Sequence, residues 1–308
     1  MSGTVDVLPS WRPGPTRDAI VAFLDDVDQV PSDLRVACFD NDGTLWCERP
    51  TYVQFDFFVD ELTARAQEEP SITSVPEFAA LLSGDHDAVG ELGLERIAYA
   101  LTGLFDGTTA PEFTARAQQF MDRARHSTFG LPLHGLVYQP MIELLDELRR
   151  LDFTIAIVTG GGTEFVRAIS RDLYGVAPEL VVGTLIKYEF TRDDRQRPAL
   201  RRTARLEGEP NEGSTKVTNI QSALGRRPIL AAGNSGGDRE MLEWAAAADG
   251  PSLALLVDHD DPEREFQYLS AAETFAEPEP ITDVGARLGW TIVSMADDWQ
   301  QVFPPVDT

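Results

Sequence analysis

The sequence predicts an α/β protein: a Rossmann-like three-layer core around a central parallel sheet, with an α-helical cap inserted near its start. Three observations carry that prediction. The apolar runs Val36-Ala37-Cys38-Phe39, Ile155-Ala156-Ile157-Val158 and Leu230-Ala231-Ala232 have the length and composition of buried strands. Helical periodicity fills the intervals, and strands alternating with helices imply a parallel sheet covered on both faces. Between about 47 and 138 the helical pattern runs on without a strand.

Each element follows in order. Residues 1–34 form an N-terminal segment: a Pro-rich loop, then a helix over 16–27 with Thr16 as N-cap and Ile20, Val21, Phe23 and Leu24 on its apolar face. The core begins at 35–46 with a strand over 35–39. The cap, 47–138, holds helices over 52–66, 76–82, 92–105 and 111–124. In the first of these Val53, Phe57, Phe58 and Leu62 recur at helical spacing. Its aromatics Tyr52, Phe55, Phe57 and Phe58 read as cap core. Arg49, Arg65, Arg96, Arg116, Arg123 and Arg125 read mainly as solvated helix faces, with one or two turned to the site. The core resumes over 139–308: helix 141–151, strand 153–158, a helix opening at Thr163, strand 180–182, a hairpin of 185–190 and 200–206, helix 217–224, strand 228–232, helix 239–247, and strands 253–257 and 291–293. The stretch after about 250 carries no assignable function.

A formal charge of −25 excludes nucleic acid as a partner, because a phosphate backbone needs a basic face. A small phosphorylated molecule stays compatible with that field if a divalent cation shares its pocket. Cys38 and Cys47 give neither a disulfide framework nor a zinc pattern and read as reduced packing residues. Residues 1–30 lack a basic start followed by an apolar core, and no run approaches the ~18 apolar residues of a membrane span. A cytoplasmic protein without membrane contact is expected. His86, His126, His134 and His259 show no ligand spacing and are expected to be structural or superficial. The sequence does not fix the oligomeric state.

The chemistry concentrates in four segments. Asp40-Asn41-Asp42-Gly43-Thr44 follows the first strand directly. Side chains two apart on extended chain share a face, which puts Asp40 and Asp42 together at a carboxyl end, where open α/β sheets bind ligands. Paired carboxylates are costly unless a cation or a shared proton intervenes, and metal-assisted chemistry on an anion suits them. Thr159-Gly160-Gly161-Gly162 closes another strand; its backbone N–H groups and the next helix N-terminus favour phosphate. Ser214-Thr215-Lys216 precedes a helix. Of 26 basic residues only Lys187 and Lys216 are lysine, so Lys216 is a candidate for a compact point charge. Gly233-Asn234-Ser235-Gly236-Gly237-Asp238 follows the third strand, and Asp238 could give an oxygen to Mg²⁺ or cap the helix at Arg239.

These segments resemble the haloacid dehalogenase-like superfamily of phosphohydrolases, over about 35–240. Asp40 to Thr44 matches the first signature, Thr159 the second, Lys216 the third and Asn234…Asp238 the fourth. The insertion lies where that family carries a type 1 helical cap, and the hairpin before Lys216 makes the chain look most similar to the phosphoserine phosphatase-like branch. The resemblance implies Asp40 as the nucleophile that becomes an aspartyl phosphate. It implies Asp42 as the acid that protonates the leaving oxygen and then activates water. Thr159 and Lys216 would hold phosphoryl oxygens beside Gly160 and Gly161. Mg²⁺ would be bound by Asp40, the Asp42 carbonyl and Asp238, with Asn234 as a further oxygen donor.

Departures from the family pattern are equally specific. Asn234 stands where an Asp is common. Glu48, the nearest match to the Glu that holds a phosphoserine amino group, falls one residue early and is followed by Arg49. The expected activity is hydrolysis of a small phosphorylated metabolite; a phosphomutase or an inactive phospho-ligand binding protein are the alternatives. Asp42 argues against dehalogenation, which needs no acid. The absence of Lys between 47 and 138 argues against a Schiff-base phosphonatase. The order of the acidic segments argues against a receiver domain.

Overall fold

In the computed structural model the described residues are 7–272 and 278–305; the first six residues of the N-terminal segment lie outside them. The chain opens with α1 (Pro15–Asp26). Proline takes its first turn, where a missing N–H costs nothing. Gly14 occupies the cap position, and the Thr16 hydroxyl donates to Asp298 Oδ2 at 2.9 Å. Thr16 is therefore not the N-cap that its residue type suggested.

Strand β1 (Val36–Phe39) is buried throughout. Five helices follow before the next strand: α2 (Val53–Glu68), α3 (Pro76–Ser83), α4 (His86–Leu92), α5 (Leu94–Gly103) and α6 (Ala110–Arg123). The single helix expected over 92–105 is broken at Gly93, whose φ of +83° departs from helical geometry. Phe57 stacks against Phe105 and Phe165 and meets Phe113 edge-on, so Phe57 and the buried Phe58 are packing, as their spacing indicated, while Tyr52 and Phe55 are half-buried. The arginines of these helices pair with acids, as in Arg116–Glu61 and Arg123–Asp60.

Next come α7 (Gln139–Arg150), β2 (Thr154–Gly162), α8 (Thr163–Tyr174), β3 (Val181–Thr184), the hairpin β4 (Ile186–Arg192) and β5 (Pro198–Leu206), and α9 (Ser214–Leu224). The chain closes with β6 (Leu230–Gly233), α10 (Arg239–Ala246), β7 (Leu253–Asp258), α11 (Ile281–Leu288), β8 (Thr291–Ser294) and α12 (Met295–Asp298). Helix α11 carries no element in the sequence reading.

The main sheet has order β3-β2-β1-β6-β7-β8 and every pairing is parallel. Phe39 is in register with Ile157 on one side and Ala232 on the other. Alternate β1 residues enter two cores: Ala37 and Phe39 one layer, Val36 and Cys38 the other. This is the three-layer α/β architecture that the alternating pattern predicts. The chain leaves β1 in both directions along the sheet, so the carboxyl end of β1 is a switch point, where such sheets bind ligands.

A seam joins the hairpin to the inserted helices. Gly107 N donates to Arg202 O (2.9 Å) and Arg202 N to Thr108 O (2.8 Å). Arg202 also pairs with Glu164 of α8 at 2.7 Å and lies 4.1 Å from the Phe113 ring centroid.

Candidate active site

Three loops at the carboxyl ends of β1, β2 and β6 converge with the first turn of α9. The Asp40 N–H donates to Ala232 O at 2.9 Å, which ties the start of the first loop to β6. Lys216 Nζ lies 2.6 Å from Asp40 Oδ1 and 2.6 Å from Asp238 Oδ1. The three side chains are 3%, 9% and 0% exposed, so these are buried ion pairs rather than surface contacts. Lys216 falls inside the first turn of α9 rather than just ahead of it. Asp238 reaches this position because its other oxygen, Oδ2, accepts from the N–H groups of Asn234 and Ser235, both at 3.0 Å.

The charges do not balance. Burial, then the charge of Asp238, hold the Asp40 carboxyl well above its usual range against the pull of Lys216. Burial also raises Asp42, opposed by hydrogen bonds from Trp46 and Asn41. Burial works to lower Lys216, and the charges of Asp238 and Asp40 outweigh it, so its ammonium form is secured. One cation thus faces two carboxylates in direct contact, with a third nearby.

Asp42 is held by Trp46 Nε1 at 2.8 Å on Oδ1 and by Asn41 Nδ2 at 3.2 Å on Oδ2. Asn41 in turn accepts from Tyr174 Oη at 2.9 Å. Gly43 adopts φ +71°, and a Cβ there would lie 2.0 Å from Asn234 Nδ2; only glycine permits that approach. Thr159 is buried, and its Oγ1 accepts from Gly161 N at 2.9 Å. The glycine run, expected as a turn, continues β2: Gly162 pairs with Thr184 across an irregularity after Val158.

Glu48 and Arg49, expected at the substrate, face the layer formed by the C-terminal part of the chain. Glu48 is buried, and its Oε1 accepts from Asn234 Nδ2 at 3.3 Å. The Arg49 guanidinium stacks 4.3 Å over the Tyr268 ring. The Asn234 amide is turned the same way: Nδ2 also donates to Ser270 Oγ (3.2 Å), and Oδ1 accepts from Thr44 Oγ1 (3.4 Å). Its side-chain oxygen is thus engaged by Thr44, not directed at Asp40 and Asp238.

Other side chains at the site carry no sequence signal. Gln54, from the first turn of α2, accepts from Gly162 N at 2.8 Å. A point at the Cβ position of Gly161 is 2.9 Å from Gln54 Oε1 and 3.8 Å from Asp42 Oδ2, so the inserted helices reach the rim of the acid cluster. Asn211 Nδ2 donates to Thr159 O (2.9 Å) and Val182 O (3.1 Å), fixing the end of β2.

Among the described residues no group of three or more His, Cys, Asp or Glu side chains is disposed to hold a metal ion. The donor chemistry nevertheless fits a hard divalent cation. Two buried carboxylates, Asp40 and Asp238, approach the same point from opposite loops and share one ammonium between them. Such ions favour oxygen donors and keep several waters. Among the described residues no helix is long and apolar enough to cross a membrane.

With this geometry in place, the family follows. The model of the haloacid dehalogenase-like hydrolase family matches residues 37–243, more than half of the chain, and the protein belongs to that family. The chain is similar in fold to a protein of unknown function from Bordetella pertussis Tohama I, at 19% identity and TM-score 0.52, over 84% of this chain and 97% of that one. Weaker likenesses reach a HAD family hydrolase from Salmonella enterica serovar Typhi (17% identity, TM-score 0.39, 79% of this chain and 69% of that one). Another is a probable phosphoserine phosphatase from Vibrio cholerae (16% identity, TM-score 0.41, 83% of this chain and 66% of that one). No curated protein sequence matches this one.

Proposed function

We propose that this protein is a Mg²⁺-dependent phosphomonoesterase that acts on a small phosphorylated metabolite in the cytoplasm through an aspartyl-phosphate intermediate. The observation that carries the reading is the Lys216 ammonium held 2.6 Å from both Asp40 and Asp238, at the carboxyl ends of β1 and β6. An ammonium there neutralises a nucleophilic carboxylate and a transferring phosphoryl group alike.

Asp40 attacks phosphorus, which splits one hard displacement into two easier ones. Asp42, held off its usual ionisation by burial, gives its proton to the departing oxygen and takes one back from the water that cleaves the intermediate. Thr159 Oγ1, placed by the Gly161 N–H it accepts from, orients the phosphoryl oxygens together with Lys216. Asp40, the Asp42 carbonyl and Asp238 would hold Mg²⁺, which supplies charge neutralisation at the phosphoryl group. Gln54 brings the inserted helices over the leaving-group side, an arrangement suited to substrate selection. The phosphoserine phosphatase-like reading rests on the order of the four signatures and the hairpin; the placement of Glu48 and Arg49 against Asn234 and Tyr268 leaves the metabolite open.

The test is phosphate release across amino-acid, sugar, nucleotide and lipid-headgroup monoesters, with and without Mg²⁺. Asp40→Asn is expected to lower turnover of the best substrate by at least about 1,000-fold, the scale on which removal of a nucleophile acts. Full Mg²⁺-dependent activity in that variant would end the proposal. Silence of the wild type across the panel would turn attention to phosphoryl transfer between two positions or to ligand binding alone.

A further inference from the structure

Residues 259–270 lie beyond the family match at 37–243, yet they form the layer on which the Asp40–Thr44 loop rests. His259 is buried at its centre. Its Nε2 lies 2.9 Å from the carbonyl oxygen of Gly43, and its Nδ1 lies 3.3 Å from Glu265 Oε2. A carbonyl only accepts, so in the contact with Gly43 the donor is Nε2. Asn234 Nδ2, at 3.5 Å from Nε2, is a donor itself and does not compete.

Glu265 is fixed from several sides. Its Oε1 accepts from Tyr138 Oη and Cys47 Sγ, both at 3.0 Å, and its Oε2 accepts from Phe266 N at 2.6 Å. The imidazole is also stacked on Tyr268 with ring centroids 4.3 Å apart. Its position is therefore set by covalently remote elements.

Gly43 is gripped at both ends. Its N–H donates to Trp46 O at 2.9 Å, and its carbonyl takes the His259 bond. Trp46 is also the residue whose indole N–H holds Asp42 Oδ1. The two peptides that flank Gly43, directly after Asp42, are thus held by Trp46 on one side and His259 on the other, and the φ of +71° at Gly43 is one that glycine adopts freely.

We propose that His259, supported by Glu265, is a positioning residue for Asp42: it holds the Gly43 carbonyl and so fixes the direction of the Asp42 carboxyl towards the leaving oxygen. This rests on the phosphomonoesterase reading above. His259 exchanges no proton in the reaction; the proton passes from Asp42 to the departing oxygen as the P–O bond breaks.

A general acid matters most when the leaving group is poor. The experiment therefore compares kcat for an alkyl phosphomonoester with kcat for para-nitrophenyl phosphate, whose leaving group needs little protonation. His259→Leu is expected to lower both, and to lower the alkyl ester about 10-fold more, a part of the range over which general-acid catalysis acts. His259→Gln, whose amide can still donate to Gly43 O, is expected to return the ratio to within about 3-fold of wild type. Equal losses on both substrates would mean that His259 only supports the fold, and would overturn the inference. If His259→Leu does not fold, Glu265→Gln carries the test: it is expected to shift the ratio in the same direction by about 3-fold, and an unmoved ratio overturns the inference. A wild type inactive on both esters would fail the proposed function itself, and this inference with it. An active wild type whose ratio no variant moves fails the inference alone.

Discussion

Two buried charge clusters lie on either side of the Asp40–Thr44 loop, and they are built on opposite principles. In the Asp40–Lys216–Asp238 cluster one ammonium serves two carboxylates in contact, and burial with the charge of Asp238 holds Asp40 well above its usual range. In the His259–Glu265 cluster one donor ring serves one carboxylate. Burial alone would raise Glu265, but the hydrogen bond and charge of His259 bring it below its usual range. The second cluster is satisfied within the fold. The first is not, and a group left short of partners in a buried site is one prepared for a ligand.

The largest way to break this contrast is to remove the shared cation. Lys216→Met leaves Asp40 and Asp238 facing each other without compensation, and is expected to lower stability by about 3–5 kcal/mol near pH 8. Urea unfolding measures it. The pKa of Lys216 is pushed up, so its stabilisation is present below the unfolded value and is lost only as pH rises through the higher folded value. The lysine thus stays charged across neutrality. Asp40 instead sets the pH dependence: its carboxyl is raised, so it keeps a proton more readily in the folded state, and the variant's deficit is expected to shrink on acidification. A deficit equal at pH 8 and pH 5 would contradict the assignment.

A second test restores the balance. Saturating Mg²⁺ is expected to stabilise the wild type by about 2–3 kcal/mol at pH 8, the linkage energy at roughly 100-fold excess over Kd. The effect should be smaller at pH 5, where the raised carboxyl of Asp40 retains a proton that competes with the ion. Thermal shift reads both values, and a Mg²⁺ effect that is the same at the two pH values would show that the ion binds elsewhere. The smallest expected effect lies between the clusters. Gly43→Ala adds a Cβ 2.0 Å from Asn234 Nδ2 at a positive φ and is expected to lower stability by about 2 kcal/mol, read from the shift in unfolding midpoint.

The local parts of this site were legible in the sequence. Asp40 and Asp42 sit two apart after an apolar run, and strand geometry alone brings them to one end of the sheet. Lys216 stood out through the scarcity of lysine, and the structure places it between two of the acids. Contacts made across the fold left no such trace. Gln54, Asn211 and His259 lie 11 or more residues from the nearest signature acid or glycine in the chain, and nothing in their own surroundings announces a role. His259 lacks ligand spacing, which points to a structural or surface residue; the bond that gives it significance goes to a backbone carbonyl 216 residues away. Glu48 and Arg49 follow the first signature closely, yet they are engaged by Asn234 and Tyr268. Helix α11 escaped because Gly285 lies within its eight residues, and glycine weakens any helical pattern by about 1 kcal/mol relative to alanine. The composition of the glycine run favours a turn; pairing with Thr184 keeps it extended instead.

The seam between the hairpin and the inserted helices bears on the mechanics of the molecule. Two chain crossings, before α2 and after α6, would by themselves define an axle about which the helices could rock. The hydrogen bonds that join Gly107 and Thr108 to Arg202, with the Gln54–Gly162 bond and the Phe57–Phe165 stack, tie the helices to the rest of the chain at further points, and each tie resists that rotation. Rocking therefore has to bend β4 and β5 as well, so the hairpin acts as a leaf spring on the helices. The Gln54 rim is thereby held over the acids by the hairpin and by its own bond to Gly162 as well as by the two crossings.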